Sequence, residues 1–279
     1  MSIIFNQDFS SMGVLMIKSG ILLAIVLTSN SVCAKSVCAD FRDRQSYPPL
    51  NIKGGTVCFV REPLLDDKAG APSGLDGISL YYVASEGVPV KANGRGLLYD
   101  DTPGEVVSAF SLNVGREHQE KVFVIHFFEV RNSLVEKNSS GKFYSVSVFY
   151  SDENILYQDE RSTDWFGGGY SWLSDGKRMI YKFPYQSKKD VERAIKSPFA
   201  SLMSVGGEMP VYVKLKSYLF DGPNVKGRTR KYLIAGDRAV VEGVTAGWCQ
   251  VNYLGATKPI DMWLMCNALG VDAQEKRVN

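Results

Sequence analysis

Between Lys142 and Tyr150 the chain reads Lys-Phe-Tyr-Ser-Val-Ser-Val-Phe-Tyr, and this alternation constrains the fold more than any other stretch. Successive strand residues point to opposite faces, so Phe143, Ser145, Ser147 and Phe149 share one side while Tyr144, Val146, Val148 and Tyr150 share the other. A helix would scatter both sets around its circumference. Comparable β-type runs lie at 56–60, 77–83 and 121–130, each bounded by turn residues. Asn138-Ser-Ser-Gly-Lys142 has hairpin-loop chemistry between the two longest runs. The expected fold is mainly β, with an antiparallel meander sheet or sandwich in the first part. The 14 tyrosines and 14 phenylalanines agree with it.

One helix interrupts the pattern. Ser187 can cap it, Asp190 falls in its first turn, and Val191, Ala194 and Ile195 form an i, i+3, i+4 stripe that would pack on the sheet. Pro198 forces Ser197 out of the helical region and ends it. The stretch Gly206-Gly-Glu-Met-Pro210 then reads as a linker.

The first 34 residues read as a leader. Lys18 supplies a positive start, Ile21-Leu-Leu-Ala-Ile-Val-Leu27 an apolar core, and Val32-Cys-Ala34 small residues for cleavage after Ala34. Translation is expected to start at Met16, or at Met12. The apolar run falls short of the ~20 residues that cross a bilayer, so no integral span is expected after cleavage. Export to the periplasm turns Cys38, Cys58, Cys249 and Cys266 into candidates for two disulfides. Of the three possible connectivities, Cys38–Cys58 with Cys249–Cys266 keeps each bridge within one domain. The expected layout is a leader over 1–34, a β domain with a terminal helix over 35–205, a linker over 206–210, a barrel over 211–270 and a tail over 271–279.

After the linker come short strand-like runs: 211–219, 230–234, 238–244, 247–253 and 262–269. A Gly222-Pro-Asn224 loop, Gly236-Asp237 before a valine-rich strand, a Gly247-Trp248 strand and a closing Trp263 strand resemble the bacterial SH3-like family. That family usually has a glycine before its second tryptophan, where Met262 stands here. The resemblance covers about a quarter of the chain and implies a small β-barrel that binds cell-wall peptides or protein partners, often beside a catalytic domain. The second disulfide would tie the Gly-Trp strand to the closing strand.

Catalytic chemistry is hard to assemble from the remaining residues. His126 sits mid-strand with apolar neighbours, and His118 lies in a solvated run. The Ser139–Lys142 and Ser174–Lys177 pairs have Ser-x-x-Lys spacing but fall in turns rather than on a helix. Gly222 to Thr229 has no P-loop lysine, and the carboxylates of 100–101, 152–153, 159–160 and Asp164 cluster in turns, where Asp is favoured for local hydrogen bonding. A formal charge of +2 supplies no field to gather nucleic acid. No metal or other cofactor is expected. The candidate ligand-binding residues are aromatic: Trp165, Phe166, Tyr170 and Trp172 around three glycines, with Trp248 and Trp263 in the barrel. The expected function is non-catalytic binding of peptidoglycan or an envelope protein. Alternatives are an immunity or inhibitor protein that neutralises a secreted toxin or hydrolase, and an envelope hydrolase with an accessory barrel.

Overall fold

The computed structural model describes residues 37–271 apart from 66–71, 86, 116–117, 131–137, 205–206 and 255–258. The leader, its cleavage position and the tail beyond residue 271 lie outside the described residues, as does the start of the expected linker.

The chain is mainly β, built from antiparallel sheets with few helices. Strands β1 (Gln45–Ile52), β2 (Gly55–Leu65), β3 (Pro72–Ala84) and β4 (Val90–Lys91) form a meander sheet in that order. Its β1–β2 turn is only Lys53-Gly54, and Gly54 takes a φ of +89° that a side chain would resist. A second sheet contains β5 (Glu105–Val114), β6 (Gln119–Glu129), β7 (Lys142–Asp152) and β8 (Ile155–Gln158), with β9 (Gly168–Tyr170) also paired to β7.

Alternation in β7 sorts its side chains as the sequence requires. Phe149 packs with Val57, Phe59, Leu80 and Tyr82 of the first sheet. Val146 and Val148 face the other way, into a cluster with Phe110, Phe123, Ile125 and the helical segments. The second sheet is therefore a middle layer covered on both faces. Eight consecutive residues of β6 are accordingly buried or nearly so, although its pattern contains no eight-residue aliphatic run. The disulfide Cys38–Cys58 joins the outer face of β2 to the turn that precedes β1, where Phe41 and Tyr81 cover it.

Among the described residues three short α-helices lie between β8 and the C-terminal strands. Helix α2 (Lys188–Ile195) begins at Ser187, whose hydroxyl accepts from the Asp190 N–H, and buries Val191 and Ala194 against the second sheet. It leads through a 3-10 turn at Pro198–Ala200 into α3 (Ser201–Ser204). Helix α1 (Glu160–Phe166) occupies part of the stretch that reads as a loop. Its sequence, Glu-Arg-Ser-Thr-Asp-Trp-Phe, contains few strong helix formers, so tertiary contacts hold it. The Asp159 carboxylate caps it through the Ser162 N–H at 3.0 Å and pairs with Lys121 of β6. Thr163 Oγ1 accepts from the Val148 N–H, and Trp165 and Phe166 are buried beneath it.

Beyond α1 the chain forms a hairpin of β10 (Trp172–Ser174) and β11 (Met179–Lys182). The C-terminal part folds into a seven-stranded antiparallel sheet. Its members are β12 (Met209–Val213), β13 (Ser217–Phe220), β14 (Arg228–Leu233), β15 (Arg238–Thr245), β16 (Trp248–Leu254), β17 (Pro259–Met265) and β18 (Leu269–Gly270). The order is β14-β13-β17-β16-β15-β12-β18, and a 3-10 turn at Cys266–Ala268 precedes the last strand. Val211, Leu219, Val241, Val251 and Leu264 are central to its core, and Cys249–Cys266 links β16 to the 3-10 turn.

This C-terminal sheet and the segment before it share side chains. Trp248 is 2% exposed and lies between Tyr181 of β11, stacked at 6.0 Å, and Phe220 of β13, edge-on at 4.9 Å. The two-residue turn Ala246-Gly247 has positive φ at both positions, as a tight hairpin turn requires. It inserts beside α1: Ala246 N–H donates to the Phe166 carbonyl at 3.1 Å, and the Tyr181 hydroxyl donates to the Ala246 carbonyl at 3.0 Å. A side chain at Gly247 would come within 2.8 Å of Pro184.

Candidate functional site

The aromatic residues singled out by sequence serve different ends. Trp165 and Phe166 are buried in the junction core with Tyr185, and Trp248 belongs to the same cluster. Tyr170, half-buried on β9, meets Phe143 edge-on at 5.6 Å. Trp263 is half-buried on β17 against the junction core. Of the six, Trp172 alone is exposed, at 42%. The aromatic loop thus divides, three positions facing inward or sideways and one outward, with Trp172 at the foot of the β10–β11 hairpin.

Trp172 begins a surface that extends over the two hairpins. Three shallow clefts share walls there. One contains Trp172, Arg178 and Met179; the next, of about 550 Å³, contains Arg178, Met179, Leu215, Tyr218 and Arg228; the third contains Tyr218, Arg228, Arg230 and Tyr232. Large apolar side chains stand out of it, with Met179 60% exposed, Leu215 58% and Tyr232 50%. Isolated exposed apolar residues are ordinary, but a contiguous group beside guanidinium groups is the composition of an interaction surface.

Local sequence builds this surface. In the β10–β11 turn, the Asp175 carboxylate accepts the backbone N–H groups of Lys177 and Arg178, each at 3.0 Å, and Arg178 Nε at 3.3 Å. These bonds, the backbone N–H of Arg178 foremost, hold the Asp175 carboxyl below the usual carboxylate range, so it stays ionised and anchors Arg178 at the turn. In the β13–β14 connection, Asn224 accepts from the N–H groups of Lys226 and Gly227, both at 3.0 Å, and the Asp221 N–H donates to the Gly227 carbonyl. The Gly-Pro-Asn segment thereby returns the chain so that Arg228 lies over Tyr218, its guanidinium carbon 3.8 Å from the ring centre. Lys216 Nζ lies 4.0 Å from the Tyr232 ring centre, and the two tyrosine rings meet edge-on at 6.1 Å. Cation–π contacts of this kind stiffen long side chains without neutralising their charge.

The charge of the surface is lopsided. Lys177, Arg178, Arg228 and Arg230 line the clefts and Lys216 adjoins them, while Asp175 is the one carboxylate among their described lining residues. The composition suits recognition of anionic groups by planar guanidinium forks.

Other sequence candidates occupy structural settings. His126 is fully buried between the sheets, its Nε2 2.9 Å from the Pro103 carbonyl. Burial lowers its pKa, and the Pro103 bond offsets part of that effect. Neither His126 Nδ1 nor the hydroxyl of Ser145, its cross-strand neighbour, has a hydrogen-bond partner among the described residues. Ser139 bridges to Leu173 and Ser174 ends β10, so neither Ser-x-x-Lys pair lies on a helix. Among the described residues no group of three His, Cys, Asp or Glu side chains is arranged to hold a metal ion. No described helix is long and apolar enough to cross a membrane.

Sequence reasoning singled out neither Tyr218 nor Tyr232, nor the arginines. Their signal was the short basic run Lys226-Gly-Arg-Thr-Arg-Lys231 next to two tyrosine-bearing strands. By itself such a run is an ordinary solvated loop. No family model matches the chain, and no curated protein or solved structure is detectably similar to it.

Proposed function

We propose that the chain is an exported, non-catalytic binding protein of the cell envelope. In this reading the leader is removed after Ala34, and the mature chain works in the periplasm. The C-terminal sheet is read as an SH3-like barrel that engages the cell wall or an envelope protein. Support comes from the two disulfides, which suit an oxidising compartment, and from the sheet of short antiparallel strands that carries the Gly222-Pro-Asn224 connection and the Gly247-Trp248 strand. One observation carries the reading: exposed Trp172, Met179, Leu215, Tyr218 and Tyr232 form one surface with exposed arginines. A surface whose clefts are shallow and share walls suits a macromolecule better than a small enclosed ligand.

A second reading is an immunity or inhibitor protein. The exposed Met179 beside Tyr218 and the arginines favours it, because polysaccharide recognition makes little use of a thioether whereas protein interfaces are enriched in Met, aromatic residues and Arg.

The test is to offer the mature chain, from Lys35, to purified sacculi and to envelope extract in parallel. The binding-protein reading expects retention on one of them that drops when Tyr218 and Arg228 are both changed to alanine. Sacculi retention selects the wall; one tightly held protein selects an envelope or inhibited partner. No retention on either, from a folded protein, would sink the reading.

A further inference from the structure

Building on the reading of the hairpin surface as the binding site, we propose that its partner is a protein surface carrying clustered Asp and Glu side chains among apolar ones. The first argument is charge. Lys216 Nζ and Arg228 Cζ lie 5.8 and 3.8 Å from the same Tyr218 ring centre, and Arg230 lines the same cleft. None of the three makes an ion pair among the described residues, and the nearby Asp175 is already engaged by Arg178. Uncompensated like charges held this close repel one another, and an incoming carboxylate pair removes that repulsion.

The second argument is the character of the space between the cations. Met179, Leu215 and Tyr218 line the central cleft, with Ser217 and Asn267 as its neutral polar side chains. A saccharide site would surround its aromatic platform with hydroxyl-binding polar groups, whereas Met179, Ile180, Leu215 and Val225 give this cleft an aliphatic wall, and a phosphate-bearing lipid surface needs cations without a shaped apolar cleft. Apolar anchors between arginines instead match the centre of a protein interface, where aromatic residues, Met and Arg are enriched.

A third observation concerns how the partner lies. Among the described residues strand β14 pairs with β13 alone, which leaves its other edge open. The Lys231 N–H on that strand donates to Thr229 Oγ1 at 3.1 Å, and Arg228, Arg230 and Lys231 decorate it. Charged side chains and a diverted N–H blunt an edge against strand addition. The partner therefore docks on the side-chain face.

The experiment uses the mature full-length chain and two fluorescent probe peptides, three repeats of Glu-Leu-Asp-Tyr and the same peptide with Gln and Asn in place of Glu and Asp. Vesicles of phosphatidylglycerol serve as the phosphate-bearing alternative. The acidic peptide is expected to bind about tenfold or more tighter than its neutral counterpart, and the preference should shrink in high salt. The double variant Arg228→Glu/Arg230→Glu should abolish that preference, while Arg228→Lys/Arg230→Lys keeps part of it because charge survives and the fork does not. Unchanged cooperative unfolding of both variants excludes misfolding. Equal binding of the two peptides, a preference that survives charge reversal, or tighter binding to vesicles than to the acidic peptide overturns the proposal. A photo-crosslinker at Leu215 separates this outcome from failure of the broader reading. If it still captures one envelope protein, the surface is a binding site for a different chemistry. With no crosslink to protein or wall, the binding reading falls as well.

Discussion

Two groups of aromatic side chains lie close together in this protein and do opposite things. At the junction, Trp165, Phe166, Tyr181, Tyr185 and Trp248 are buried and stacked, joining α1, β11 and the C-terminal sheet. On the neighbouring hairpins, Trp172, Tyr218 and Tyr232 are exposed and accompanied by cations. Residue type is the same in both groups; surroundings differ. The junction rings meet other rings and, through the Tyr181 hydroxyl, a backbone carbonyl, which suits folding, whereas the hairpin rings meet cationic side chains and solvent, which suits recognition. An aromatic residue is therefore a poor guide to a binding site until its neighbours are known.

The sharpest way to break this comparison is to truncate one ring from each group. Trp248→Ala should cost about 3–5 kcal/mol of stability, since it empties a site shared by two parts of the chain. Tyr218→Ala should change stability by less than about 0.5 kcal/mol and register only in binding. Chemical denaturation checks both. Equal losses would mean that the hairpin rings are structural and that the candidate surface is misread.

A smaller effect tests what holds α1, and with it the junction, in place. Lys121→Met leaves the Asp159 carboxylate without its cation and should cost about 3 kcal/mol near neutral pH. Burial tends to raise the Asp159 pKa, but bonds from Lys121 and Ser162 outweigh it and hold the carboxyl below the usual range. The stabilisation is thus present above the unfolded-chain pKa and is lost as pH falls through the lower folded value. Wild type and variant should converge in acid. A gap that stays constant with pH would show that the Lys121 contribution is packing rather than charge.

The smallest effect concerns His126, remote from the hairpin surface. Because burial favours its neutral form, the unfolded chain takes up a proton near pH 6.5 before the folded chain does. Its share of stability is complete above that pH and declines as pH drops toward the folded value, by at most about 1.4 kcal/mol per pH unit. His126→Gln should flatten this part of the profile while leaving partner binding unchanged. If binding moved with it instead, the two regions would be coupled.

Much of the fold was legible in the sequence because its signals are local. Period-two alternation set the faces of β7, Ser187 and Asp190 marked the start of α2, and paired cysteines within each part foretold both bridges. Helix α1 was not legible. Its residues have little intrinsic helical preference, and its supports, Lys121 and Val148, come from distant strands. Trp165 and Phe166 read as an exposed platform for the same reason: their burial depends on Tyr185 and on the Ala246-Gly247 turn, both far away in sequence.

The candidate surface follows the same division. By itself the sequence determined a mainly β chain with one well-capped helix and two cysteine pairs, because alternation, capping and short-range pairing act between near neighbours. Only the tertiary structure decided which aromatics face inward, and that Arg178 and Arg228, on separate hairpins, line one cleft. That choice depends on how the C-terminal sheet docks through Trp248 and its turn, a long-range packing outcome that no local pattern encodes.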